Sequence, residues 1–254
     1  MRRKMLSALI IAMCVIFALS VNVFAQTYEL SGTDLQVRVD DTYWYVFTRD
    51  NIVNNAELEE LGISYEYMYN VFHNNAVYMD AILIYDNGEF TELFIRKKTL
   101  DGSIVNLSNY EDDKVMELAS SLAERQGATD YSVYTNNYKF ARSEYIDSSL
   151  GYYICEFVTV VNKDNYTLTF QSTSKFDEWE YEQIEDIVNS IVFDVDTTLK
   201  EPENTPFWEN VLKNTLGGAL IGGAAGGVIS FFSKKKRKAR KDAEAEIGGV
   251  SEEQ

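Results

Sequence analysis

Hydrophobic and polar residues alternate along several short stretches between residues 35 and 171. Alternation with a period of two is typical of strands, because successive side chains point to opposite faces of a sheet. In the first of these stretches, Leu35, Val37 and Val39 alternate with Gln and Arg. The pattern predicts strands over residues 35–39, 43–47, 77–85, 91–97, 131–134, 138–145, 152–161, 166–171 and 192–193.

Apolar residues with helical spacing lie between these strands. Ser108 and Glu111 match a capping box, and Gly127 is the residue type that ends a helix in the left-handed conformation. The helix between them has an apolar face formed by Val115, Leu118, Ala119 and Leu122. Further helices are predicted over residues 56–61, over 64–72 and after Ser174.

The strand over residues 152–161 indicates how the sheet is covered. Cys155 and Phe157 lie on one of its faces, and Ile154 and Val158 lie on the other. Because both faces are mainly apolar, both should be covered by other elements. Turn signals at Asn87-Gly88 and over residues 162–165 predict hairpins. The sequence therefore predicts an α+β fold, a three-layer α/β/α sandwich with a predominantly antiparallel sheet over residues 26–196.

The N-terminus has the layout of a secretory signal peptide. Three basic residues, Arg2 to Lys4, precede an apolar run that ends near Leu19, and a small-residue cleavage site ends at Ala25. Residues 1–25 are therefore predicted to be a signal peptide that is cleaved after Ala25. An uncleaved anchor would need a longer apolar run of about 20 residues. A lipid-modified Cys14 is disfavoured, because Met13 before it is not small.

Residues 215–232 form an uncharged apolar stretch, which predicts one transmembrane helix after a linker over 197–214. A flexible Gly-rich segment is the alternative. The basic residues that follow resemble a stop-transfer signal and place the tail, residues 233–254, in the cytoplasm. A sortase anchor is excluded, because no LPxTG-like signal precedes the stretch. The stop-transfer residues are Lys234, Lys235, Lys236, Arg237 and Lys238.

Glycines recur at a spacing of four in this stretch, as Gly218, Gly222 and Gly226 and again as Gly223 and Gly227. Small residues at this spacing let another helix approach closely, which predicts association with a second copy or with a partner helix. The alternative is simple tolerance, since glycine is common in membrane helices.

Composition and charge narrow the classes of partner. The chain has 23 basic and 40 acidic residues and a net charge of −17, so it should repel nucleic acid. One histidine excludes a metal site built from several histidines.

Few residues are candidates for chemistry. His73 lies at the end of a predicted helix without a GxSxG or cysteine motif, and Cys155 lies within an apolar strand. Asp80 interrupts an apolar strand and needs a partner if it is covered, for which Arg142 or Arg38 could serve. The acidic clusters lack the spacing of a calcium loop. We expect no catalytic residue, no cofactor and no metal.

The sequence resembles the PsbP-like α/β/α sandwich over most of residues 28–194. The resemblance depends on the order of hairpins, on Thr167-Leu168-Thr169-Phe170 in a late strand and on Ser190-Ile191-Val192-Phe193 after the last helix. It implies a binding or assembly factor without an active site. The whole layout is similar to uncharacterised single-pass surface proteins of Gram-positive bacteria.

These observations predict a single-pass type I protein of the cell membrane with its domain outside the cell. The expected function is that of an extracellular binding or assembly module with an unknown ligand. One alternative is a regulatory or accessory subunit of a membrane complex that associates through its Gly-rich helix. A small extracytoplasmic enzyme is a further alternative.

Overall fold

The computed structural model describes residues 25–99 and 106–195. The predicted linker, transmembrane helix and tail, and all of the predicted signal peptide except Ala25, lie outside these residues. Within the two described ranges, no helix has both the length and the hydropathy needed to cross a bilayer.

Ten strands and four α-helices make up the described part of the chain. A short 3₁₀ turn, Leu107–Asn109, precedes α3. In chain order the elements are β1 (Ala25–Glu29), β2 (Leu35–Asp40), β3 (Trp44–Thr48), α1 (Ala56–Glu60), α2 (Tyr65–Asn74), β4 (Val77–Ile84), β5 (Phe90–Thr99), α3 (Asp112–Gln126), β6 (Asp130–Thr135), β7 (Lys139–Asp147), β8 (Tyr152–Val161), β9 (Asp164–Ser172), α4 (Glu178–Asn189) and β10 (Val192–Phe193).

The strands form two antiparallel sheets, which confirms a mixed α/β fold with antiparallel pairing. Seven strands form the larger sheet in the order β3-β4-β5-β9-β8-β7-β6, and β1-β2-β10 form a small second sheet. All nine predicted strands are present. The first strand, β1, was not predicted, because only five residues form it and most of them are exposed.

Helices pack on both faces of the larger sheet. On β5, Leu93 and Ile95 join the hydrophobic cluster that contains Ile187 of α4. Phe94, which points the opposite way, packs in a second cluster with Phe72 of α2. Burial of a phenylalanine or leucine side chain contributes about 1.5–3 kcal/mol, so both faces stabilise the fold.

The third helix, α3, packs on the same face of the larger sheet as α2 but covers the other end of it. Leu118 of α3 packs against Val158 of β8 in a cluster of its own. Register places Val158 beside Thr167 and Thr167 beside Arg96, so these residues share one face of the sheet. The helix ends at Gly127 with φ of +69°, as predicted. A strip of the sheet along β9 therefore lies between the α2 and α3 clusters.

The predicted capping box at Ser108 is wrong. Helix α3 begins at Asp112, and its N-cap residue is Glu111, whose side chain makes no capping hydrogen bond. The hydroxyl of Ser108 instead accepts from the backbone N–H of Lys139 at 3.0 Å. A complete capping box lies at the start of α4, where Asp177 is the N-cap and Glu180 returns the bond.

The hairpin between β8 and β9 is tighter than predicted. Val161 already pairs with Asp164, so the turn has two residues rather than four. Asn162 and Lys163 have φ of 50° and 70°. Two positive φ angles are typical of the type I′ turn, whose twist matches that of the flanking strands.

Candidate functional site

The structure places His73 on the exposed surface of α2, in its last turn. Its ring stacks on Tyr69 with 3.9 Å between centroids, and Nδ1 lies 2.9 Å from the carbonyl oxygen of the same residue. Its position at a helix end is confirmed. Both contacts are made within one helix, so they orient the imidazole but bring no nucleophile to it.

Asp80 is fully buried on β4, on the face that packs against α2. The two predicted partners are wrong. Arg142 lies on β7 and pairs with Glu144, and Arg38 is exposed on the small sheet. Both failures have one cause: strand order in a sheet is set by long-range pairing, which local sequence patterns do not specify.

Cys155 is buried in the middle of β8, as predicted, but its surroundings are not wholly apolar. Register places it opposite Glu144 of β7, and its Sγ lies 3.7 Å from Glu144 Oε1. Burial raises the pKa of the thiol to about 12, and the Arg142 charge only partly offsets this effect. The thiol therefore stays protonated at neutral pH and lacks the thiolate that nucleophilic catalysis requires.

Glu144 is held by Arg142 and Tyr181, in addition to its contact with Cys155. Its Oε1 accepts from Arg142 Nη2, and Oε2 accepts from the Tyr181 hydroxyl of α4 at 2.9 Å. Arg142 and Glu144 share a face because they are two residues apart on one strand. Burial, reinforced by the Glu144 carboxylate, raises the pKa of Tyr181, so its hydroxyl remains a donor. The carboxylate is thus fixed in one orientation.

A pocket of about 330 Å³ lies beside Glu144, and we call it the end pocket. It occurs where the sheet narrows, since β6 starts at Asp130 opposite Glu144 and leaves the end of β7 without a neighbour on that side. Its walls also come from the turn after α3 and from the segment that leads into α4. It is lined by Gly127, Thr129, Asp130, Glu144, Tyr145, Ile146, Tyr153, Ile154, Lys175, Phe176 and Tyr181.

The end pocket combines aromatic walls with a few charged groups, and its volume lies at the lower end of the range for small-molecule sites. Asp130, Glu144 and Lys175 supply the charges. Sequence analysis missed all three, because they lie on separate elements and become neighbours only through the sheet register and the packing of α4.

A second cluster of polar side chains, which we call the inner polar layer, lies along β9 between α2 and α3. Glu156 of β8 is fully buried there and accepts from Gln126 at 2.6 Å and from Thr169 at 3.1 Å. Gln171 of β9 donates to Glu92 of β5 at 2.5 Å. Both oxygens of Glu156 are bonded to protein, so its role is structural. The signal for this layer was present in the Thr-x-Thr-x-Gln alternation of residues 167–171.

Within residues 25–99 and 106–195, no three His, Cys, Asp or Glu side chains are grouped so that they could hold a metal ion. The predicted Gly-rich helix face and the predicted stop-transfer residues lie outside the described ranges. A comparison of the chain with known protein families and with curated proteins finds no match.

Proposed function

We propose that the chain is a membrane-tethered extracellular binding module, and that the end pocket is its ligand site. The domain is a three-layer PsbP-like sandwich, held by a transmembrane helix over residues 215–232 with the basic tail inside the cell. Neither catalysis nor a cofactor is part of this proposal. The ligand enters from outside the cell and is recognised without being changed.

The observation that carries the proposal is the fixed carboxylate of Glu144 in the wall of an aromatic-lined pocket. Arg142 and Tyr181 hold this group in place, so the Glu144 carboxylate does not have to be ordered when a ligand binds. A site that is ordered in advance avoids part of the entropic cost of binding. The pocket is built by β6, β7, β8 and α4, together with the segments that follow α3 and precede α4.

The two candidate catalytic residues, His73 and Cys155, lie outside the end pocket, which favours a binding function over catalysis. His73 lies on α2, and Cys155 is buried with a protonated thiol. Neither lines the end pocket. A ligand in the pocket therefore meets two carboxylates, tyrosine side chains and an ammonium group, which suit recognition by charge and hydrogen bonds.

A variant that closes the pocket tests the proposal. Ile146 lines the pocket and is 56% exposed, so Ile146→Trp should obstruct it without disturbing the core. Val53, which is 59% exposed and lies before α1, offers Val53→Trp as a matched control. In a thermal-shift screen of small polar compounds, ligands should raise the melting temperature of the parent and of the control only. Ligands that stabilise both variants equally would contradict the proposal.

The membrane topology has its own test. Protease added to intact protoplasts should remove residues 26–196 and spare the tail, because the helix places them on opposite sides of the membrane. Antibodies against an epitope at each end would report both fragments. Cleavage of the tail with protection of the domain would overturn the proposed orientation.

A further inference from the structure

Two carboxylates face each other across neighbouring strands at the rim of the end pocket. Asp130 at the start of β6 is paired in register with Glu144 of β7, so both side chains lie on one face of the sheet. Like charges directly opposite each other destabilise an antiparallel pair. Arg142 forms an ion pair with Glu144, and its charge also acts on Asp130. Asp130 is exposed and forms no ion pair of its own among the described residues.

Aromatic rings form the wall next to these carboxylates. Phe176 and Tyr181 both line the pocket and lie with 5.7 Å between ring centroids and an angle of 54° between ring planes. Tyr153 of β8 lines the same pocket. The faces of aromatic rings attract cations, and several rings around a carboxylate are an arrangement that suits ammonium groups substituted with carbon.

We propose that the end pocket binds a small organic ammonium compound. This inference rests on the proposed function. The ammonium group lies between Asp130 and Glu144, and its hydrocarbon part packs against Phe176, Tyr181 and Tyr153. A cation at this position is attracted by both carboxylates, and a neutral or anionic ligand is not.

An inorganic cation fits the pocket less well. A divalent metal ion needs several oxygen ligands at short range, and the described residues contain no group of three suitable side chains. Arg142 and the Tyr181 hydroxyl already contact the Glu144 oxygens, which would compete with direct coordination. An ammonium compound demands charge and ring contacts rather than a complete ligand shell.

A pair of probes with the same shape and different charge tests the inference. Choline and its neutral isostere 3,3-dimethylbutan-1-ol should be titrated calorimetrically into the full chain, purified in a maltoside detergent whose headgroup contains no ammonium. Phenethylamine and 2-phenylethanol form a second pair. In at least one pair, the ammonium compound should bind at least about tenfold more tightly than its neutral isostere.

Variants assign the effect to the pocket. Asp130→Asn should weaken binding of the ammonium compound about tenfold. Asp113→Asn, on the exposed first turn of α3, makes the same chemical change outside the pocket and should leave binding unchanged. Ile146→Trp should abolish binding of every probe.

Equal affinity for both members of each pair, or failure of both ammonium probes to bind, would overturn the inference. A neutral compound that binds as tightly as its ammonium counterpart, and whose binding is blocked by Ile146→Trp, would overturn the inference while leaving the proposed binding function intact. The two proposals can therefore fail separately.

Discussion

Arg96 on β5 reaches across β9 to Glu156 on β8, with 3.5 Å between Nη2 and Oε2. Thr169 on the intervening strand bonds to both, since its hydroxyl accepts from Arg96 at 3.1 Å and donates to Glu156 at 3.1 Å. Three adjacent strands are thus linked by side chains as well as by backbone. Because Glu156 is fully buried, neither charge can be removed without leaving the other unbalanced.

We predict that Arg96→Met strongly destabilises the protein. The substitution keeps most of the side-chain volume but leaves the Glu156 carboxylate buried without its cation. Removal of one partner of a buried ion pair costs about 3–5 kcal/mol. Urea unfolding followed by tryptophan fluorescence would measure the change in the free energy of unfolding.

The double variant Arg96→Met with Glu156→Gln serves as the control for this pair. The amide keeps the shape of Glu156 and removes its charge, so the double variant should be more stable than Arg96→Met alone. Strictly additive losses would show that the two residues are not coupled.

We predict that the fold is lost in alkali. Burial, followed by nearby carboxylates, raises the pKa of Tyr28 and of Tyr67 to about 12. In the unfolded chain tyrosine ionises near pH 10, so these residues stabilise the folded state fully below about pH 10. This stability is lost as the pH rises toward 12. Tyrosinate absorbance and circular dichroism should therefore change together, and ionisation of all tyrosines near pH 10 with the fold intact would contradict the prediction.

We predict that Cys155 is inert in the folded protein. Its thiol is buried and protonated, so a maleimide should not react at about pH 8 until urea is added. Cys155→Ser should cost about 1 kcal/mol or less, because the hydroxyl can donate to Glu144 where the thiol now does. Cys155→Leu should cost about 1–3 kcal/mol through overpacking. Rapid labelling of the native protein would refute the burial of the thiol.

Sequence patterns predicted the strands well, because alternation is a local signal. They failed where distant residues decide the outcome. Glu156 interrupts one face of β8, and only the pairing of β8 with β9 and of β9 with β5 brings it next to Thr169 and Arg96. The end pocket is similar, since Glu144 and Tyr181 meet only after α4 docks on the sheet. The small sheet was also missed, because β10 pairs with β2, which lies far from it in the sequence.

We predict that Asp177→Ala destabilises the protein by about 1 kcal/mol, while Asp177→Asn costs much less. The Asp177 side chain accepts from Glu180 N at 2.9 Å, and asparagine can make the same bond. Ser108→Ala should leave the start of α3 intact, because Ser108 bonds to Lys139 and not to the helix. Thermal unfolding would compare the stabilities of the three variants. An equal loss of stability for Asp177→Ala and Asp177→Asn would argue against the capping hydrogen bond.

Substitution of Glu180 should destabilise the protein more than substitution of Asp177. Glu180 Oε1 accepts from Tyr85 at 2.7 Å and from Thr91 at 2.6 Å, so the carboxylate joins α4 to the sheet as well as closing the capping box. Glu180→Ala would leave the Thr91 hydroxyl without this acceptor in the core. Its loss of stability should exceed that of Asp177→Ala, and a smaller loss would show that these contacts are not stabilising.

The last prediction concerns the Gly-rich segment, which lies outside the described residues. Gly218, Gly222 and Gly226 are four apart, so on an ideal helix each is advanced about 40° from the previous one and they line a shallow groove. Another helix can enter such a groove closely, whereas lipid gains nothing special from it. Gly222→Leu should therefore weaken crosslinking in membranes to a second copy or a partner, while insertion is kept. Gly217 does not belong to the set Gly218, Gly222 and Gly226, so Gly217→Leu should have less effect. Equal crosslinking of both variants and the parent would contradict the prediction and indicate that the segment is only an anchor.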